Sequence, residues 1–313
     1  MKKVILLALL MPYMAFGQIV DNFESQSTAN WVQSYEGHWK ADTVSRLSGL
    51  YSLHHVYDNP DAGTEQIGLS IKNLHPEEGT TRWSFLVRYG YDPSSLNNWS
   101  AFLMCDIGSS GMSAEGTAKG YAIGVNLAGS DDTLRLWKIK GSQIVTVVKT
   151  RINWQTDIGT ARVVRILTER TADGHWTVTV SGITGSVIGS ASGTDSELFG
   201  SEWFGIYYKY SSTRDRLLWI DDVDIAGIFH ENTTVTPVMA RTGDLIISEI
   251  MADPTPEVSL PPKEYIEIIN RTDSPYNLED WKLSTESQSV VFPDVTLPAS
   301  GIAILCSPGD TSF

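Results

Sequence analysis

Short strand-like segments follow one another along residues 18–230, and helical periodicity is nearly absent there. Each segment is rich in β-branched and aromatic residues and is bounded by Gly, Asn, Asp, Ser or Pro, which is the pattern of strands joined by turns. Roughly ten or more such segments without intervening helices argue against alternating strands and helices. The spacing therefore predicts an all-β region, folded as a large β-sandwich or jelly roll.

Two neighbouring segments show the pattern clearly. Residues 120–125 and 134–139 are apolar or aromatic runs, and the turn-forming sequence Gly129-Ser130-Asp131-Asp132 lies between them. Clusters of Gly, Ser and Asp between two such runs favour a tight connection. We therefore expect these two segments to form an antiparallel hairpin.

Size and charge narrow the class of protein. A chain of 313 residues suggests two domains. Lys and Arg total 23 against 37 Asp and Glu, a net charge of -14. Proteins that bind nucleic acid need a basic footprint for the phosphates, so we expect no nucleic-acid partner.

The first seventeen residues have the composition of a secretory signal peptide. Lys2 and Lys3 are basic, Val4 to Met11 is apolar, and Ala15-Phe16-Gly17 supplies a small-x-small cleavage site. The alternative is a membrane anchor, but Pro12 interrupts the apolar run well short of about 20 residues. The sequence thus predicts a mature chain that starts at Gln18, lacks a transmembrane segment, and is secreted or displayed on a bacterial cell surface.

The two cysteines lie far apart, in strand-like apolar runs. Cys105 ends the run 101–105, and Cys306 ends the run 302–306. A reactive thiolate needs an accessible, electropositive setting, which neither run supplies. We expect both side chains to fill cores and no disulfide framework to be present.

A second domain follows a Thr-rich linker over residues 231–243. It begins at Asp244 with the run 245–251 and an Asp-Pro loop, then continues with the run 264–270 and the segment 276–284. This order resembles the lamin-tail domain, an immunoglobulin-like β-sandwich. The resemblance implies an interaction module, of a kind that in bacteria accompanies secreted or membrane-associated enzymes and adhesive proteins.

Two further expectations concern this second domain. Trp281 is predicted to be its central core residue, because a sandwich of this size needs a large aromatic between its sheets. Around it we expect the apolar side chains of Leu278, Leu283, Val291, Leu297, Ile302 and Ile304. The family normally continues through further strands after the run 302–306, so we expect the domain 244–313 to be C-terminally incomplete.

The N-terminal region carries a resemblance of its own. Asp21-Asn22-Phe23-Glu24, the segment 205–208 and the segment 217–223 resemble parts of a concanavalin-like or laminin-G-like jelly roll, as found in bacterial surface proteins. The fold class expected for the whole chain is therefore all-β. It comprises a signal peptide over 1–17, a jelly roll over 18–230, a linker over 231–243 and a lamin-tail sandwich over 244–313.

Histidines and acids are the candidate metal ligands in this sequence. None of the six histidines lies in a motif with zinc spacing, and the side chains of His54 and His55 must point to opposite faces of a strand. Calcium prefers carboxylate and carbonyl oxygens. If the first and last strands of the jelly roll pair, acids converge that could hold a structural calcium: Asp21, Glu24, Asp221 and Asp222. The alternative is that these acids face solvent or cap turns.

Catalytic motifs are missing from the sequence. Concanavalin-like sandwiches include glycosidases, which carry two glutamates and an aspartate in an E-x-D-x-x-E strand, but residues 18–230 contain no such strand. No G-x-S-x-G turn occurs either. We therefore assign no catalytic residue, and a polysaccharide-active hydrolase is kept as an alternative.

Ligand binding is the remaining class. Nine of the ten tryptophans fall in the first domain. Exposed aromatic rings can stack on the apolar faces of sugars, whereas a jelly roll also needs large aromatics in its core. The candidates for ligand contact are Trp99, Trp39 and Trp154, with Asn97 and Asn98 as hydrogen-bonding partners or, alternatively, turn residues.

The sequence thus favours an exported, non-catalytic protein for adhesion or ligand binding. Its expected partner is an extracellular glycan or protein, and its only suggested cofactor is a structural calcium ion. The alternatives are the hydrolase and a spacer for a function encoded beyond Phe313.

Overall fold

The structure is a computed structural model that describes residues 16–230, 241–252, 264–272, 275–279, 281–285, 289–293 and 295–306. Two compact units divide between Glu231 and Asn232. Residues 1–15 of the predicted signal peptide and residues 231–240 of the predicted linker lie outside the described residues. The predicted domain boundaries stay predictions.

Antiparallel strands build the N-terminal unit. Within residues 16–230 they are β1 Phe16–Asp21, β2 Trp31–Gln33, β3 Trp39–Asp42, β4 Ser52–His55, β5 Gly63–Ser70, β6 Thr81–Tyr89, β7 Asn98–Cys105, β8 Lys119–Val125, β9 Thr133–Lys140, β10 Gln143–Asn153, β11 Val164–Arg170, β12 His175–Gly182, β13 Val187–Thr194, β14 Trp203–Tyr210 and β15 Leu218–Ile228. A 3-10 turn at Ser109–Gly111 and a π-helical turn at Trp154–Ile158 interrupt them.

These strands form two sheets. One has the order β13-β12-β11-β6-β15-β4-β3, with β1 also paired to β15, and the other has the order β10-β9-β8-β7-β14-β5-β2. Strands distant in sequence are neighbours, as in β1 beside β15, which is the connectivity of a jelly roll rather than of a simple meander. The predicted all-β jelly-roll sandwich is confirmed, and so is the hairpin of β8 and β9.

The core of the unit lies between the two sheets. It contains side chains from both, including the fully buried Trp83, Trp99 and Trp176. Large aromatics fill this space because each removes about 150–250 Å² of surface from water. The strand β7 is buried along its whole length. A second apolar cluster, to which Met112 and Ala118 of the following loop contribute, covers its outer face.

The C-terminal unit has shorter strands. In the described part of residues 241–306 they are β16 Leu245–Met251, β17 Tyr265–Asn270, β18 Tyr276–Asn277, β19 Lys282–Ser284, β20 Ser289–Val291, β21 Thr296–Leu297 and β22 Ile302–Cys306. They pair as β16-β17-β22, β18-β21 and β19-β20. Its core consists of Ile268, Tyr276, Leu278, Phe292, Leu297, Ala303 and Leu305.

The prediction that Trp281 is the centre of this core is wrong. Its side chain is 39% exposed. Trp281 precedes β19 and donates its backbone N–H to the carbonyl of Leu278, so it lies in a turn rather than at an inward strand position. Phe292, which is buried, supplies the large aromatic instead.

Some of the other predicted core positions are buried and some are not. Leu278 and Leu297 are buried, as expected, whereas Val291 and Ile302 are about half exposed. Both cysteines are buried, which confirms that they are core side chains. Burial also raises the pKa of Cys105 to about 11, so its thiol is a poor nucleophile.

Candidate functional site

The three tryptophans predicted to contact a ligand lie in the core. Trp39, Trp99 and Trp154 are at most 1% exposed. Trp99 belongs to β7, and its ring meets that of Trp154 edge to face at 5.0 Å. The expected exposure is therefore wrong, and the alternative that these rings fill the sandwich is correct.

The two asparagines hold a loop in place. Asn97 Oδ1 accepts hydrogen bonds from the backbone N–H of Ser211 at 2.9 Å and its hydroxyl at 3.0 Å. Asn98 Nδ2 donates to the carbonyls of Ser94 and Ser95. Both side chains are buried. They serve the turn, which was the alternative to hydrogen bonding with a ligand.

The first and last strands do pair, as the calcium hypothesis required. In the antiparallel register of β1 and β15, Asp21 lies opposite Val223. The Asp21 carboxylate, however, already accepts bonds from the Trp31 indole at 2.8 Å and from the backbone N–H of Phe23 at 2.9 Å. We call Asp21, Glu24, Asp221 and Asp222 the seam acids.

The other seam acids are also engaged by protein donors. Glu24 Oε1 accepts from the backbone N–H groups of Leu50 at 2.7 Å and Tyr51 at 3.0 Å. Asp222 lies at a bulge in β15, with a φ of 45°, and its carboxylate pairs with Arg165 at 2.9 Å. Aspartate tolerates this left-handed conformation better than most residues.

Asp221 is completely buried. One carboxylate oxygen accepts from the Ser52 hydroxyl at 2.7 Å and the Ser48 N–H at 3.0 Å, and the other accepts from the Asp222 N–H at 2.7 Å. Burial raises the pKa of Asp221 to about 6, although the hydrogen bond from Ser52 opposes the rise. Each seam acid is thus engaged by its own protein donors.

A different set of side chains converges at the β2 and β3 edges of the sandwich. Within the described residues, two groups of three possible metal ligands have one ligand atom each within 4.8 Å of one another, and neither includes a seam acid. We call His38, His55 and Glu65 the buried cluster. The other group, His75, Glu78 and His230, is the surface cluster.

Three elements supply the buried cluster. His38 immediately precedes β3, His55 ends β4, and Glu65 lies in β5 of the opposite sheet. The register of β3 and β4 sets Trp39 opposite His55, which brings His38 close to the end of β4. His38 Nδ1 lies 3.0 Å from Glu65 Oε1.

The two ring nitrogens of His55 have different surroundings. Nδ1 contacts the backbone carbonyl of Asp215, which can only accept, so Nδ1 carries the proton. Nε2 is buried and has no hydrogen-bond partner. Burial lowers the pKa of His55 to about 4, so the ring is neutral at pH 7 and Nε2 presents a free electron pair.

Polar groups surround Glu65 on its other side. The Tyr210 hydroxyl lies 3.4 Å from Glu65 Oε1 and accepts a bond from Asn59 Nδ2 at 3.0 Å. Burial raises the pKa of Tyr210 to about 12, so its hydroxyl stays protonated. Glu65 is itself buried. The cluster therefore combines a buried carboxylate with hydrogen-bond donors and acceptors from its neighbours.

Two tyrosines connect this cluster to solvent. The ring of Tyr57 stacks on that of His38 with centroids 3.8 Å apart and planes 7° apart, and the ring of Tyr35 stacks on His38 at 5.4 Å. Tyr35 is 60% exposed and Tyr57 is 39% exposed. We call the rings of Tyr35, Tyr57 and His38 the tyrosine surface. It offers an open aromatic face next to a buried carboxylate.

Local sequence patterns could not reveal this site. The prediction that His54 and His55 point apart is confirmed, since His54 bonds to Asp42 and stacks on Trp219. The ligand-bearing positions 38, 55 and 65, however, come from separate elements and match no motif. The pairing of β3 with β4 was the signal that could have joined the first two.

Comparison with known families identifies the C-terminal region. Residues 239–312 match the family model described as Lamin Tail Domain. The resemblance predicted for residues 244–313 is therefore confirmed. No curated protein sequence matches the chain.

Several solved structures are similar to the N-terminal unit. The exoplasmic/lumenal domain of VIP36 in its Ca²⁺-bound form is 9% identical, with a TM-score of 0.47, over 69% of this chain and 92% of that one. Peanut lectin with a nine-residue peptide is 11% identical, with a TM-score of 0.45, over 67% and 96%. Metal-free lectin I-B4 from Griffonia simplicifolia is 13% identical, with a TM-score of 0.44, over 67% and 98%.

Two tyrosine hydroxyls of the lamin-tail region form internal hydrogen bonds. The Tyr276 hydroxyl donates to Asp244 at 2.7 Å, and the Tyr265 hydroxyl donates to Glu249 at 2.8 Å. The bond from Tyr276 lowers the pKa of Asp244. Its described residues contain no group of three possible metal ligands. The candidate site described above belongs to the N-terminal unit.

No helix in the described part of the chain is long and apolar enough to cross a membrane.

Proposed function

We propose that this protein is an exported ligand-binding protein whose N-terminal sandwich binds an extracellular glycan at the tyrosine surface. The observation that carries the proposal is the pairing of exposed tyrosine rings with a buried carboxylate. Tyr35 and Tyr57 are both exposed, and both stack on His38, which contacts Glu65.

Sugar chemistry fits this arrangement. The C–H face of a pyranose is apolar and packs on an aromatic ring, while its hydroxyls need hydrogen-bond partners. At the tyrosine surface, the hydroxyls of the exposed Tyr35 and Tyr57 side chains can donate to and accept from the hydroxyls of a sugar. A few such polar groups beside an apolar face are the usual composition of a binding site for small molecules.

In this proposal the other regions have supporting roles. Residues 1–17 direct export, and the lamin-tail region acts as a second interaction module in adhesion. Cell fractionation with N-terminal sequencing tests the first role: we expect the protein in the exported fraction with Gln18 as its first residue. Recovery of the uncleaved chain inside the cell would contradict it.

Glycan-array binding by the purified protein tests the central claim. We expect defined glycans to bind, and Tyr35→Ala to weaken binding by about five- to tenfold, since stacking on one aromatic ring contributes about 1–1.5 kcal/mol. Leu96→Ala is the matched control, because Leu96 is 61% exposed but belongs to the loop before β7. Silence on the array, or equal binding by the Tyr35 variant, would contradict the proposal.

A further inference from the structure

We propose that the buried cluster, His38, His55 and Glu65, binds a divalent transition-metal ion, with zinc as the ion that its donors suit best. Two imidazoles and one carboxylate form a common set of protein ligands for zinc and related ions. The inference does not rest on glycan binding, since a metal ion can occupy the cluster whatever the tyrosine surface contacts.

The distances within the cluster match this role. Zinc bonds of about 2.0–2.1 Å in tetrahedral geometry place neighbouring ligand atoms about 3.3 Å apart. His38 Nδ1 and Glu65 Oε1 are 3.0 Å apart, and one ring nitrogen of His55 lies within 4.8 Å of the ligand atoms of both. Small side-chain adjustments are enough to close the site around an ion.

His55 supplies the most specific evidence. A buried imidazole nitrogen without a partner is unfavourable, and buried polar groups in folded proteins nearly always have one. Nε2 of His55 is such an atom. Its other nitrogen contacts the carbonyl of Asp215, which is the arrangement that orients a metal-ligating histidine and fixes its tautomer. A metal ion at the cluster would give Nε2 its partner.

The cluster also has an entrance. The side chain of His38 is 20% exposed, whereas that of Glu65 is 5% exposed. Three protein ligands leave at least one coordination position for water or another small ligand. This position would open on the side of His38, beside the tyrosine surface.

The surface cluster provides a comparison within the same chain. Its side chains are more exposed: those of His75, Glu78 and His230 are 36%, 30% and 33% exposed. It contains no buried nitrogen without a partner. We therefore expect it to bind the metal more weakly than the buried cluster does.

Zinc titration of the protein, purified without a polyhistidine tag, tests the inference. With zinc chloride and a chromophoric chelator as competitor at about pH 7.5, we expect one zinc ion bound per chain. Glu65→Gln and His38→Gln should each lower the affinity at least tenfold. His75→Gln, in the surface cluster, should leave it within about twofold of the original protein.

Folding is checked separately, by circular dichroism and thermal melting in EDTA. His38 is partly exposed, so His38→Gln keeps the test valid even if substitution of the buried Glu65 prevents folding. Folded protein that binds no zinc, or folded His38→Gln that retains full affinity, would overturn the inference. Glycan binding that survives the loss of zinc binding would leave the proposed function standing, and zinc binding without any glycan would leave this inference standing.

Discussion

The seam acids and the buried cluster both contain buried polar atoms, but they differ in whether those atoms have hydrogen-bond partners. At the seam, the Asp221 carboxylate is completely buried but receives three hydrogen bonds from protein donors. In the buried cluster, His55 is just as deeply buried, yet its Nε2 has no partner. Burial alone therefore does not mark a binding site. The feature that distinguishes the two regions is a ligand atom that the fold leaves without a partner.

This difference indicates what each region should respond to. A buried carboxylate with a raised pKa responds to protons, because burial penalises its charge. A buried neutral imidazole with a free electron pair responds to a metal ion. We expect the seam to be sensitive to pH and the buried cluster to be sensitive to zinc.

The largest effect expected is the pH response of Asp221. Its pKa rises from an ordinary value of 3.8 to about 6 in the folded state, so the folded protein holds this proton more tightly than the unfolded chain. The resulting stabilisation is complete below about pH 3.8 and is lost as the pH rises through about 6. This rise in pKa corresponds to a contribution of at most about 3 kcal/mol to the free energy of unfolding.

Urea denaturation of the original protein and of Asp221→Asn, across about pH 4 to 7, measures this effect. The asparagine does not titrate, so the variant should gain stability relative to the original protein as the pH rises. Asp224→Asn is the control, because Asp224 is only partly buried and its carboxylate bonds to the side chain of Gln18. If the difference in stability between the two proteins does not vary with pH, the seam is not the pH-sensitive region proposed here.

Zinc should stabilise the protein nearly as strongly through the buried cluster. A ligand at about 100 times its Kd stabilises the folded state by about 2.7 kcal/mol when the unfolded chain does not bind it. Thermal melting with and without zinc should show a rise in Tm that Glu65→Gln abolishes. An equal rise in Tm for the Glu65 variant would mean that zinc binds outside the buried cluster. The buried cluster would then not differ from the seam in its response to zinc.

The sequence predicted the strands of this fold better than it predicted which side chains are exposed. Turn residues and strand periodicity identified the hairpin of β8 and β9, because it follows from local pattern. The pairing of β1 with β15 was only the condition on which the calcium hypothesis depended. Exposure was harder to predict. Trp99 follows polar loop residues in the sequence but enters β7, whereas Trp281 lies in a turn although it was assigned to a core.

The buried cluster depends on contacts that no local pattern encodes. His38 lies in a turn, and Glu65 belongs to the sheet opposite the one that contains His55. Their proximity follows from how the two sheets close at their edges. The sequence could show which residue types were available, but only the packing of the sheets brings these three side chains together.

A smaller effect is expected for Glu24 at the seam. Its Oε1 accepts the backbone N–H groups of Leu50 and Tyr51. Glu24→Gln keeps an acceptor but loses the charge that strengthens both bonds, so we expect a loss of about 1 kcal/mol. Urea denaturation at about pH 7 measures it, with Glu36→Gln, on an exposed turn, as the control. No loss would mean that these bonds contribute little to the seam.

The smallest effect expected is that of calcium. The sequence suggested a structural calcium at the seam acids, and this stays a prediction. Asp21, Asp221 and Asp222 are engaged by an indole, hydroxyl and backbone donors and an arginine, so an ion would have to displace protein partners to reach them. Calcium binds through several oxygens at about 2.3–2.6 Å and gains little where those oxygens are already bonded. We expect millimolar calcium to change Tm by less than about 1 °C relative to EDTA. A larger rise that Asp222→Asn removes would restore the seam as a metal site, and the two regions would then differ in which ion they bind rather than in whether they bind one.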